Sequence, residues 1–128
     1  MFGGLKTDAG RNRVVPIHSA IYDLVAANYY KAVAMNSEYL FNDKNGQQGT
    51  HLTYDKYRGR FEKINKRFNM SHKPHDTRHT FISAAKYVDM NEYILKLLVG
   101  HEINDVTESV YTHRTIEELA AEIEKIKY

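Results

Sequence analysis

Pro74-His75-Asp76-Thr77-Arg78-His79-Thr80-Phe81 opens the stretch that decides the fold, and Val99-Gly100-His101 closes it. Proline suits the first turn of a helix, where its missing N–H would have had no partner anyway. From there Phe81, Ile82, Ala85 and Val88 recur at helical spacing and carry that helix inward. Asn91 is placed to cap a second, short helix through Ile94, Leu97 and Leu98, and Gly100 is placed to stop it. The stretch reads as two consecutive helices.

Downstream, Thr115-Ile116-Glu117-Glu118 has the capping-box pattern. Ile116, Leu119, Ile123 and Ile126 then give the last helix an apolar stripe. Upstream, Tyr54, Tyr57, Phe61, Ile64 and Phe68 alternate in steps of three and four and predict another helix. Tyr39 to Phe41 reads as a short strand, followed by the polar loop Asn42 to Gly49. Ser19 is the expected N-cap of a helix to about Ala34, with Ile21, Val25, Tyr29 and Ala32 on one side. At the start, Gly3 to Lys6 and Arg13 to Ile17 flank the turn Thr7-Asp8-Ala9-Gly10 and predict a β-hairpin. The expected class is α+β, mainly α: one helical domain over residues 1–128 with a small antiparallel hairpin on its N-terminal side.

The 128 residues, 42% apolar and 27% charged, fit one folded domain and argue against disorder. No apolar run approaches the ~20 residues a membrane-spanning helix needs, and the N-terminus lacks signal-peptide features. With no cysteine, disulfide scaffolds and thiolate metal sites are excluded, and a reducing cytoplasm is the default compartment. The net charge of +2 decides nothing alone, but its distribution is uneven. Between Tyr54 and Arg78 stand Lys56, Arg58, Arg60, Lys63, Lys66, Arg67, Lys73 and Arg78 against only Asp55, Glu62 and Asp76. From Thr115 onward Glu117, Glu118, Glu122 and Glu124 reverse the balance. A basic centre with an acidic tail suits a nucleic-acid surface on one side, although a solvated helix face has the same pattern.

Four features can carry chemistry. His75 and Arg78, three residues apart at a helix start, can address one ligand together, and free N–H groups there favour an anion. Arginine offers a planar fork to two phosphate oxygens, and histidine exchanges a proton near neutral pH. His101 follows a helix stop, Tyr111 sits in Val110-Tyr111-Thr112-His113, and Lys6 precedes the hairpin turn. Taken singly, each also has an ordinary reading as a surface pair, a capping donor, a core aromatic or a solvated lysine.

In this order the blocks resemble the tyrosine recombinase (phage integrase) family, most closely the integrases of phages and conjugative elements of low-GC Gram-positive bacteria. The resemblance runs from Leu5-Lys6-Thr7-Asp8-Ala9-Gly10-Arg11-Asn12-Arg13-Val14-Val15-Pro16-Ile17, through Pro74 to Phe81 and Val99 to His101, to Val106-Thr107-Glu108-Ser109-Val110-Tyr111-Thr112-His113. It implies a helical catalytic domain that joins DNA by strand cleavage and rejoining. Tyr111 would form a 3′-phosphotyrosyl link, His75 accept its proton, and Lys6 protonate the 5′-oxygen. Arg78 and His101 would hold the non-bridging oxygens. The resemblance further implies double-stranded attachment sites as partners, assembly as a tetramer on DNA, and no metal or other cofactor. Arg11, Arg13, Arg58, Arg60, Lys63, Lys66, Arg67 and Lys73 are the candidate DNA contacts.

One departure matters. The family places another arginine upstream of the hairpin, in a Gly-x-Arg-x-x-Glu-like segment, and these 128 residues contain no match there; Gly59-Arg60-Phe61-Glu62 falls after the hairpin. The expectation is therefore a C-terminal part of a catalytic domain, without the core-binding domain and inactive alone. Two alternatives stand beside it. One is a non-catalytic DNA-binding or assembly fragment. The other is a histidine metal site from His72, His75 and His79, although the glutamate of His-Glu-x-x-His is missing.

Overall fold

The computed structural model describes residues 2–3, 13–43, 50–101 and 114–127. Among them run β1 (Phe2–Gly3), β2 (Arg13–Val14), α1 (Ser19–Ala34), α2 (Tyr54–Phe68), α3 (Asp76–Tyr87), α4 (Glu92–Val99) and α5 (Ile116–Ile123). The mainly helical class is the one the sequence predicts. The chain divides into two compact units, one of Met1–Ala20 with Arg78–Tyr128, the other of Ile21–Thr77.

In the first unit, α3, α4 and α5 enclose the core. Ala85, Met90, Ile94, Leu95, Leu98, Val99, Leu119, Ile123 and Ile126 are buried together, with Phe81, Ile82 and Val88 packed against them. Local sequence explains each boundary. The Asn91 side chain accepts from the Ile94 N–H at 3.1 Å, so α4 starts there. Gly100 ends it at φ 67°, a left-handed backbone that costs glycine nothing. The capping box of α5 is complete: Thr115 Oγ1 accepts from Glu118 N at 3.2 Å, and Glu118 accepts from Thr115 N at 2.8 Å. Of the expected α5 stripe, Leu119, Ile123 and Ile126 are buried, but Ile116 is 58% exposed. It sits at the first helical position, ahead of the turn that meets the core.

The turn and most of the expected first strand lie outside the described residues, and the second strand ends at Val14 rather than Ile17. Phe2 pairs with Val14 and Gly3 with Arg13, antiparallel. Val15 already turns to the core, and Pro16 has no N–H to extend the ladder. The cap of α1 also needs correction, since Ser19 is its first helical residue. The buried His18 takes the cap position, accepting from Ala20 N at 2.9 Å through Nδ1. With Nδ1 accepting, Nε2 is left to donate to the Ile126 carbonyl at 2.9 Å. Ser19 instead donates its N–H and hydroxyl to Glu124 at 2.6 and 2.7 Å. These contacts tie the last residues of the chain to the start of α1, on their own domain.

In the second unit, α1 turns Val25, Asn28, Ala32 and Met35 away from solvent, whereas Ile21 and Tyr29 are exposed. Val25 and Ala32 lie on the expected side, while Ile21 and Tyr29 do not, because bulk alone does not say which of two adjacent apolar faces is covered. Tyr39 to Phe41 form no strand; the pairing there is a single antiparallel bridge between Asn42 and His51. Ser37 Oγ bonds Asn42 Oδ1 at 2.6 Å and accepts from Tyr39 N, so local side-chain bonds bend this segment. Helix α2 begins at the Thr53 cap and ends at Asn69, whose φ is 51°. Its predicted stripe forms one face, yet no α2 residue is buried, and Tyr54 and Phe68 stay more than half exposed.

Candidate active site and nucleic-acid interface

The turn before α3 sets the first pair of candidates. Asp76 N donates to the Lys73 carbonyl at 2.9 Å, closing a turn with Pro74 at its second position, where the fixed φ of proline fits. Asp76 Oδ2 accepts from Lys73 N at 2.9 Å, and Thr77 Oγ1 donates to the Pro74 carbonyl at 2.7 Å. His75 therefore stands in this turn, exposed and one residue ahead of α3, while Arg78 is half-buried in the first helical turn. The unit boundary falls between Thr77 and Arg78, so His75 belongs to the second unit and Arg78 to the first.

His101 follows the glycine stop of α4. Its N–H donates to the Lys96 carbonyl at 3.0 Å, which closes the helix end and leaves the imidazole exposed. A hollow of about 120 Å³ is lined by His101 together with Ile82 and Lys86 of α3 and Glu92, Leu95, Lys96 and Val99 of α4. Arg78 and Ile82, four residues apart, share one face of α3. Arg78 itself does not line this hollow. Lys86 and Lys96 were not singled out in the sequence. Their only signal would have been i+8 spacing from Arg78 for one, and proximity to the glycine stop for the other.

Tyr111, Lys6 and Arg11 lie outside the described residues. Among the described residues no three His, Cys, Asp or Glu side chains are grouped to hold a metal ion. No described helix is long and apolar enough to cross a membrane.

The basic candidates differ in what they touch. Arg13 is half-buried in β2. Arg58 is exposed and shared between Asp55 at 3.5 Å and Glu62 at 3.7 Å, contacts too weak at a surface to hold it back from another anion. Lys56 and Arg60 both pair with Asp43. Lys63, Lys66, Arg67 and Lys73 are exposed, and their side chains form no ion pair among the described residues, although the Lys73 backbone N–H bonds Asp76. Arg67 also lies over the Phe68 ring, 5.6 Å from its centroid.

The acidic tail is internally compensated. The Ser19 hydroxyl and N–H hold the Glu124 carboxyl below the usual range. The Thr115 N–H, then Arg114, do the same for Glu118. Burial pushes Glu122 up, but Lys125 and the Asn91 N–H together bring it below its ordinary value.

A helical domain with His-x-x-Arg at one helix start and Gly-His after the next helix defines a class, and comparison agrees. The profile of the phage integrase family matches residues 5–118, and the chain belongs to that family. It is 30% identical over 118 residues to a protein of Pyrococcus horikoshii named tyrosine recombinase XerA, covering 92% of this chain. The chain spans about two fifths of the length of that relative, 41%. No solved structure gives a significant match.

Proposed function

We propose that the chain supplies the C-terminal part of a recombinase catalytic domain and that Tyr111 attacks a DNA phosphodiester. The phenol oxygen bonds to phosphorus, the P–O5′ bond breaks, and a 3′-phosphotyrosyl link and free 5′-hydroxyl result. A phenol with pKa near 10 is a weak nucleophile, so His75 takes its proton. The 5′-oxygen leaves poorly as an anion, so Lys6 protonates it. Arg78 and His101 hold the non-bridging oxygens, where fixed donors stabilise the charge that develops. Rejoining reverses the bond changes with a 5′-hydroxyl of another strand, so the ester is retained and no outside energy source enters. On attachment-site DNA the protein works with further copies of itself.

The observation that carries this reading is the family match over residues 5–118, within which His75, Arg78, His101 and Tyr111 stand in the family's order. Arg78 in the first turn of α3 shares a helix face with Ile82, which lines the hollow beside His101. The 128 residues alone are expected to bind DNA weakly and not to complete recombination, because transition-state charge lacks the upstream arginine. A nicked suicide duplex, read on a denaturing gel, tests the assignment. Slow covalent capture should fall by a further 10²–10³ in Arg78→Lys and in His101→Ala, by analogy with oxyanion donors. DNA binding with no capture by any variant would favour the non-catalytic reading.

A further inference from the structure

Helix α2 carries Lys56, Arg60, Lys63 and Arg67 at steps of four, three and four. That spacing aligns them in one basic stripe, distinct from the apolar stripe of Tyr54, Phe61 and Phe68. The stripe is not uniform. Asp43, ahead of the helix beside the Asn42–His51 bridge, has a side chain only 5% exposed. Its carboxylate pairs with Lys56 Nζ and lies 3.5 Å from Arg60 Nη2. A carboxylate so deeply buried is costly unless its charge is matched, so pulling these two cations toward another anion would weaken that matching. Lys63 and Arg67, one and two turns further on, carry no such obligation among the described residues.

We propose that Asp43 divides this stripe in function: Lys56 and Arg60 are its structural counter-ions, and Lys63 and Arg67 contact the phosphate backbone of a DNA duplex. The division deepens the DNA reading above and rests on it. It also sets how strongly the helix holds DNA of any sequence, because half of its formal charge is withheld. Asp43 is then a positioning residue that acts through the two cations it binds, without touching DNA itself.

The test is fluorescence anisotropy of the 128-residue chain on a labelled duplex of arbitrary sequence, with affinity followed from about 50 to 200 mM salt. Each phosphate contact contributes a slope near 0.9, so two contacts account for a roughly 12-fold change over that range. Lys63→Gln with Arg67→Gln should remove about that much salt dependence. The triple variant Asp43→Asn, Lys56→Gln, Arg60→Gln leaves no unmatched buried charge and should keep the wild-type slope. Asp43→Asn alone, where circular dichroism shows it folded, should steepen the slope by releasing two cations. A triple variant that flattens the slope as much as the Lys63/Arg67 pair overturns the division, even with a normal wild type. So does a Lys63/Arg67 pair that leaves the slope unchanged. A wild-type affinity indifferent to salt refutes the DNA reading itself, and the division with it.

Discussion

Replacing His18 with alanine should unfasten the end of the chain from α1. Two hydrogen bonds are lost, each 2.9 Å long: the cap to Ala20 N and the bond to the Ile126 carbonyl. Losing a side-chain cap costs about 0.5–2 kcal/mol. A buried carbonyl left without its donor costs about 1–3 kcal/mol. Together they predict a loss of about 2–4 kcal/mol, a large share of the ~5–15 kcal/mol typical of a domain. For a chain of this length, each kcal/mol moves Tm by roughly 3–6 °C, so a fall of roughly 6–24 °C is expected in calorimetry. His18→Asn should recover part of it, since asparagine caps well but is too short to reach Ile126. A Tm for His18→Ala within about 2 °C of the wild type would refute the reasoning.

Three further outcomes follow. Leu119→Asp with Ile123→Asp places charges in the core shared with α4, so thermal stability should collapse in a chain that sediments as a monomer. If the same change instead dissolves a dimer without lowering Tm, the tail is exchanged between copies. Glu118 and Glu124 have folded pKa values below the ordinary one. Their stabilising contribution is therefore complete above the unfolded value of about 4.3 and is lost as pH falls through the folded value. Tm measured from pH 6 to 3 should drop less steeply in Glu118→Gln and Glu124→Gln than in the wild type. Leu98→Ala, in the middle of the buried face of α4, should cost about 2–5 kcal/mol in urea unfolding at unchanged m-value.

What was legible in the sequence was local. Asn91, Gly100 and the Thr115–Glu118 box each act within a few residues, and the helix limits they predict are the observed ones. The apolar spacing of α3 likewise places Phe81, Ile82 and Ala85 against the core. The misreadings share a cause of the opposite kind. His18 caps α1 while binding Ile126, 108 residues away, a partner no local pattern reveals. The exposure of Ile21 and Tyr29 on α1 and the missing Tyr39–Phe41 strand depend on what lies against them. At the site, the order of blocks gave the family and the candidates, but spacing could not separate Arg60 from Lys63. That distinction needed Asp43, thirteen residues before Lys56 in sequence and folded back onto the helix.

The nucleophile is the centre of the account, and one measurement addresses it directly. A duplex with a 5′-bridging phosphorothiolate replaces the poor leaving oxygen by sulfur, so cleavage needs no proton from Lys6 and the thiol does not rejoin. Even a site short of one arginine should then accumulate covalent product over hours. After proteolysis, mass spectrometry of the nucleotide-bearing peptide should place the phosphate on Tyr111, and Tyr111→Phe should bind the same duplex without forming an adduct. An adduct that survives Tyr111→Phe, or one that maps to any other residue, would contradict it.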